Sequence, residues 1–158
     1  MFRLLRIIAG FAIGAAGVYF LFAVPYTQNL AEKRVSLRTA RGFQSTTIVA
    51  VQSAKENLEE LRRYRNSVTR DAEYYALIAA NYRLLNAAVP AIEAYVKAVE
   101  IEERPELYLY LGTIEWQVGR REAAIAHLAR AVRFSDKMLE EIGDPELRAA
   151  VAAAGGRR

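Results

Sequence analysis

The sequence predicts an all-α chain, an N-terminal transmembrane helix followed by an array of helical hairpins that ends in a capping helix. Three observations carry this prediction. Residues 7–24 form an unbroken uncharged, apolar run. Residues 27–158 are dominated by helix formers, interrupted by Pro90, Pro105 and Pro145, with no stretch that alternates at period two. Residues 71–104 and 105–136 repeat one helix–turn–helix layout. The chain accordingly divides into an anchor (1–26), connecting helices (27–70), two hairpins (71–142) and a capping helix with its tail (143–158).

In the first segment, 18 residues without charge would span about 27 Å as a helix, close to the ~30 Å hydrocarbon core. Arg3 and Arg6 are placed to snorkel at one interface, with Tyr19, Pro25 and Tyr26 at the other. A cleaved signal peptide would have a shorter apolar run, about 7–15 residues, and a small-residue cleavage site, which is missing here. Long domains translocate largely regardless of charge, so the expected orientation is N-terminus in the cytoplasm and body in the periplasm, across the inner membrane of a bacterium. The bacterial assignment is associational and rests on 18 arginines against 4 lysines and on 28 alanines. Gly10, Gly14 and Gly17 fall on one helix face and would let a partner membrane helix approach closely. No ionisable group lies within the run, so it offers no proton or ion path.

Composition narrows the function classes. The chain has 158 residues, a net charge of +4, one histidine and no cysteine. Disulfide frameworks, cysteine-ligated metals, multi-histidine metal sites and thiol catalysis are excluded. Arg3 and Arg6 account for half of the positive surplus. Residues 27–158 carry 20 basic and 18 acidic side chains in mixed order, as in Glu59, Glu60, Arg62 and Arg63, which fits a solvated helical surface and no nucleic-acid partner.

Between the anchor and residue 70 the pattern gives helices over 28–41 and 46–67, broken at Arg41, Gly42 and Phe43. Val51, Ala54, Leu58, Leu61 and Val68 form one apolar face of the second. In the repeated part, the first helices align at an offset of 34 residues and the second helices at 33. Asp144 as N-cap and Pro145 at the first helical position open the capping helix, which runs to about residue 154.

The repeat resembles the tetratricopeptide repeat. Its second copy supplies that pattern with Tyr108, Leu111, Gly112, Gly119, Ala124, Leu128 and Ala131; the first supplies Tyr74, Leu77, Asn86, Ala91, Tyr95 and Ala98 after one inserted residue. Ile78 stands where the pattern wants a small residue, so the first hairpin is expected to be wider. The resemblance implies that the first helices line a concave side, here Ala72, Tyr75, Ala79, Tyr82 and Arg83, then Glu106, Leu109, Thr113, Trp116 and Gln117. It also implies protein or peptide contact there, with Tyr75, Tyr82 and Trp116 as anchors. The same aromatics at helical spacing also suit simple packing between helices. Family members that clamp a terminal carboxylate need Lys and Asn where this chain has Tyr75 and Ala79, and a second Lys where it has Glu106, so that mode is not expected.

No phosphate loop, nucleophile elbow or metal-ligand spacing is present, and His127 has no acid beside it in sequence. The expectation is a non-enzyme without cofactor or metal. It is an accessory subunit docked on a larger membrane complex, respiratory, secretory or photosynthetic, in contact with other subunits and the lipid bilayer. The alternative is a membrane-tethered adaptor that captures soluble clients in the aromatic groove.

Overall fold

The computed structural model describes residues 24–64 and 71–155, all of whose regular structure is helical. The expected anchor lies outside the described residues except for residues 24–26, which open the first helix, and Gly10, Gly14 and Gly17 lie outside them too. Among the described residues no helix is long and apolar enough to cross a membrane. In chain order the helices are α1 (Val24–Gln44), α2 (Thr47–Tyr64), α3 (Ala72–Leu84), α4 (Ala88–Ile101), α5 (Pro105–Gln117), α6 (Arg121–Phe134), α7 (Lys137–Glu140) and α8 (Pro145–Gly155).

The helices pair in order as hairpins, α1 with α2, α3 with α4, and α5 with α6, while α8 closes the array against α6. The segment read as connecting helices is thus itself a hairpin. Its break falls at Ser45 and Thr46, and Gly42 lies inside α1. Gly42 is there for close approach: a Cβ on it would sit 2.9 Å from Leu84 Cδ1 of α3. A glycine serving contact between helices was read as a glycine serving a turn.

The repeat offset also needs correction. Starts and ends of α3 and α5 lie 33 residues apart, as do those of α4 and α6, and the two left-handed turn residues, Asn86 (φ 54°) and Gly119 (φ 82°), share that spacing. No residue is inserted. Tyr75, Ile78 and Ala79 therefore correspond to Tyr108, Leu111 and Gly112. Ala79, fully buried, is the small residue at the helix crossing, and Ile78 is not its replacement. The first hairpin of the pair has no reason to be wider.

Three apolar clusters hold the layers. Val35 and Leu61 meet Tyr74 and Leu77 at the first seam. Ala79, Ala91, Tyr95, Ala98, Leu107 and Leu111 fill the middle. Leu128, Ile142, Leu147 and Val151 seat α8. Each fully buried leucine here is worth about 1.5–3 kcal/mol relative to exposure. The first seam also buries a polar network. Thr39 donates to the Val35 carbonyl (2.8 Å) and accepts from Asn81 Nδ2 (2.9 Å), while Asn57 Nδ2 donates to Asn81 Oδ1 (2.9 Å). Asn81 gives its other hydrogen to the Leu77 carbonyl (2.7 Å).

Candidate functional site

The corrected register separates residues that the sequence placed in one groove. In α3 the positions facing the first-helix side become Glu73, Ala76, Ala80, Arg83 and Leu84, so Arg83 is the counterpart of Trp116. Tyr75 and Tyr82 turn to another face of α3. The carboxylate clamp is as absent as before, since Ala76 and Ala80 occupy the Lys and Asn positions.

On the first-helix side Arg83 joins three helices. Its guanidinium lies 5.3 Å from the centre of the Phe43 ring of α1 and 5.0 Å from that of Tyr110 of α5, within cation–π range. Phe43 and Tyr110 are 50% and 42% exposed, so a partner could reach both rings. Burial pushes the Tyr95 hydroxyl above its ordinary pKa, partly opposed by Arg83 beside it. Neither Phe43 nor Tyr110 was signalled by the sequence: Phe43 looked like a turn residue, and Tyr110 sits one residue from the family's lining positions.

The rest of this face lies on α5. Leu109 is half-buried between the middle and C-terminal clusters. The Thr113 hydroxyl donates back to the Leu109 carbonyl (2.7 Å), and Gln117 is exposed. Trp116 fastens the cap. Its indole packs against the Leu128–Leu147 cluster and its N–H donates to Asp144 Oδ2 (3.1 Å), with the Arg121 guanidinium 4.1 Å over the ring. Asp144 Oδ1 accepts the Leu147 N–H (3.0 Å) as the N-cap of α8. That backbone bond first, then the indole, holds the Asp144 carboxyl below its ordinary pKa.

Tyr75 and Tyr82 line a cleft of about 300 Å³. Its floor is α3, with Tyr74, Tyr75, Ile78 and Tyr82; one wall is Leu58 and Arg62 of α2, the other Pro90, Glu93, Ala94 and Lys97 of α4. Since α2 and α4 are second helices of their hairpins, the cleft lies on a different side from Arg83. Lys97 Nζ stands 5.8 Å from the centre of the Tyr75 ring. Trp116 is not part of it.

His127 has an acid beside it after all. Its Nδ1 lies 2.6 Å from Glu115 Oε2, a carboxylate 4% exposed that reaches across from α5. The imidazole also stacks on Tyr108 (6.1 Å between centres, 24° between planes). Glu115 and His127 are 12 residues apart, too far for helical periodicity to pair them. No nucleophile adjoins them, and among the described residues no group of three or more His, Cys, Asp or Glu is arranged to hold a metal.

No protein-family model matches the chain, and no curated protein matches it. Among solved structures, the chain is similar to PcrH in its crystal structure in complex with the chaperone binding region of PopB, with a TM-score of 0.50 and 17% identity. The match covers 78% of this chain and 93% of the other, and it supports a TPR-like helical-repeat fold.

Proposed function

We propose that this protein is a membrane-tethered, non-catalytic adaptor that binds a segment of another protein along its first-helix side. The observation that carries the reading is the Phe43–Arg83–Tyr110 cluster, two part-exposed rings with a cation between them, spanning three helices of a stacked array. Exposed aromatics around a fixed arginine are the composition of binding hot spots. The similarity to PcrH, crystallised with a binding region of another protein, supports the same use of the fold. The tether is the apolar run 7–24, which would set the body on the periplasmic side of a bacterial inner membrane.

The test uses a photo-crosslinking residue at position 110 in membranes, combined with Phe43→Ser and Arg83→Glu. Crosslinks to discrete soluble polypeptides that vanish in both variants support the adaptor. Crosslinks that persist in both, but are lost with Gly10→Leu and Gly14→Leu, would replace it with the reading as an accessory subunit docked through its membrane helix.

A further inference from the structure

The equal 33-residue spacing allows the two copies to be compared side chain by side chain. Lys97 over Tyr75 (5.8 Å) corresponds to Arg130 over Tyr108 (5.4 Å). Around Tyr108 the second copy is complete: the His127 ring stacks on it, and Glu103 pairs with Arg130. Hydrogen bonding from Arg130 holds the Glu103 carboxyl below its ordinary pKa.

The first copy lacks both additions. Ala94 stands where His127 would be, and the residue 33 before Glu103 is Arg70, a cation that lies outside the described residues. Among the described residues neither Lys97 nor Arg62 has a carboxylate partner. The cleft is the space this leaves, apolar along Tyr75, Ile78 and Tyr82, with Arg62 and Lys97 against one acid, Glu93. A shallower depression containing Lys55 continues from it past Leu58 and Arg62. At about 300 Å³ the cleft is at the lower end of ligand pockets, room for a side chain or two.

We propose that this cleft is a second docking site, separate from the first-helix side, for a protein segment that presents an aromatic side chain flanked by carboxylates. The ring lies on Tyr75 as His127 lies on Tyr108, and a carboxylate meets Lys97 as Glu103 meets Arg130. The occupant restores to the first copy what the second carries in its own sequence. An acidic partner matches the cationic surplus of the cleft, and electrostatic complementarity selects it over a basic one.

The test measures fluorescence anisotropy of a labelled, blocked Gly-Asp-Trp-Glu-Gly peptide against the full chain in mild detergent, beside Gly-Asp-Ala-Glu-Gly and Gly-Lys-Trp-Lys-Gly. Saturable binding of the first peptide alone is expected, weakened about tenfold by Lys97→Glu and by Ala94→His, which fills the cleft from within. Arg83→Ala should leave it unchanged. Circular dichroism reports folding; Lys97 is exposed, so its variant decides the matter even if Ala94→His fails to fold. Absence of saturable binding, equal binding of either control peptide, full affinity in Lys97→Glu, or loss of binding in Arg83→Ala would each overturn the proposal. A failure here leaves the crosslinking test at position 110 untouched.

Discussion

Gly112 lies at a close approach of α5 and α6, and alanine there should destabilise the array although alanine is the better helix former. A Cβ on Gly112 would lie 2.6 Å from Leu128 Cγ, 3.2 Å from its Cδ1 and 2.9 Å from the Ala124 carbonyl oxygen. Leu128 is fully buried, and the carbonyl is held in α6. Overpacking of this kind costs about 1–3 kcal/mol, while the propensity gain of alanine over glycine offsets up to about 1 kcal/mol. With two contacts below 3.0 Å, one of them to backbone, the overpacking belongs in the upper part of that range, about 2–3 kcal/mol, so the expected net loss is about 1–2 kcal/mol. Each kcal/mol lowers the thermal midpoint by about 2–8 °C for arrays of this size. Thermal and urea denaturation of the full chain in mild detergent, followed by helical circular dichroism, reads this directly. Leu128→Ala removes two of the three clashing atoms, so Gly112→Ala should cost clearly less in that background. A Gly112→Ala protein as stable as the parent, or equal costs in both backgrounds, would refute the close approach on which the repeat assignment depends.

Two further outcomes follow from the buried polar network and the cap. Asn81→Leu removes the 2.9 Å acceptor of Asn57 and the 2.9 Å donor to Thr39, leaving only the 3.2 Å bond from Asn57 to Thr39 in a buried seam, and should cost about 1–3 kcal/mol in urea unfolding; adding Thr39→Val and Asn57→Leu should recover most of it. Asp144 is ionised in its cap and its folded pKa is lowered, so its contribution is present at neutral pH and is lost as pH falls through that lowered value. Acid titration should therefore shift the emission of Trp116, the one tryptophan, and lower the protection factor of the Leu147 amide before the bulk of the helix melts. Asp144→Ala should show both changes already at neutral pH.

The second repeat copy is legible in the sequence because its markers are unambiguous: Gly112 and Gly119 have single roles, and Pro105 and Pro145 start helices where proline is tolerated. The first copy is harder because α3 is apolar on nearly every side. Tyr74 or Tyr75, and Leu77 or Ile78, satisfy the family pattern equally, so composition cannot choose between registers one residue apart. The backbone chooses, through the left-handed turn at Asn86. That single step moved Tyr75 and Tyr82 off the first-helix side and brought Arg83 to its centre. The Arg83 cluster and the Glu115–His127 pair rest on contacts between helices, for which the chain has no local signal. Thr39, Asn57 and Asn81 look like surface residues until three helices bury them together.

The same triad settles the order of the hairpins. Thirty-three residues after Asn81 the chain has Ile114, buried in an apolar environment. Were the α5–α6 hairpin to dock where α3–α4 belongs, Thr39 and Asn57 would face a methyl-bearing side chain with nothing to accept or donate. Two modules of the same layout are thereby made non-interchangeable, as if one carried a key cut for a single lock. A neighbouring molecule's second module would meet the same mismatch at that seam, which disfavours exchange of hairpins between molecules.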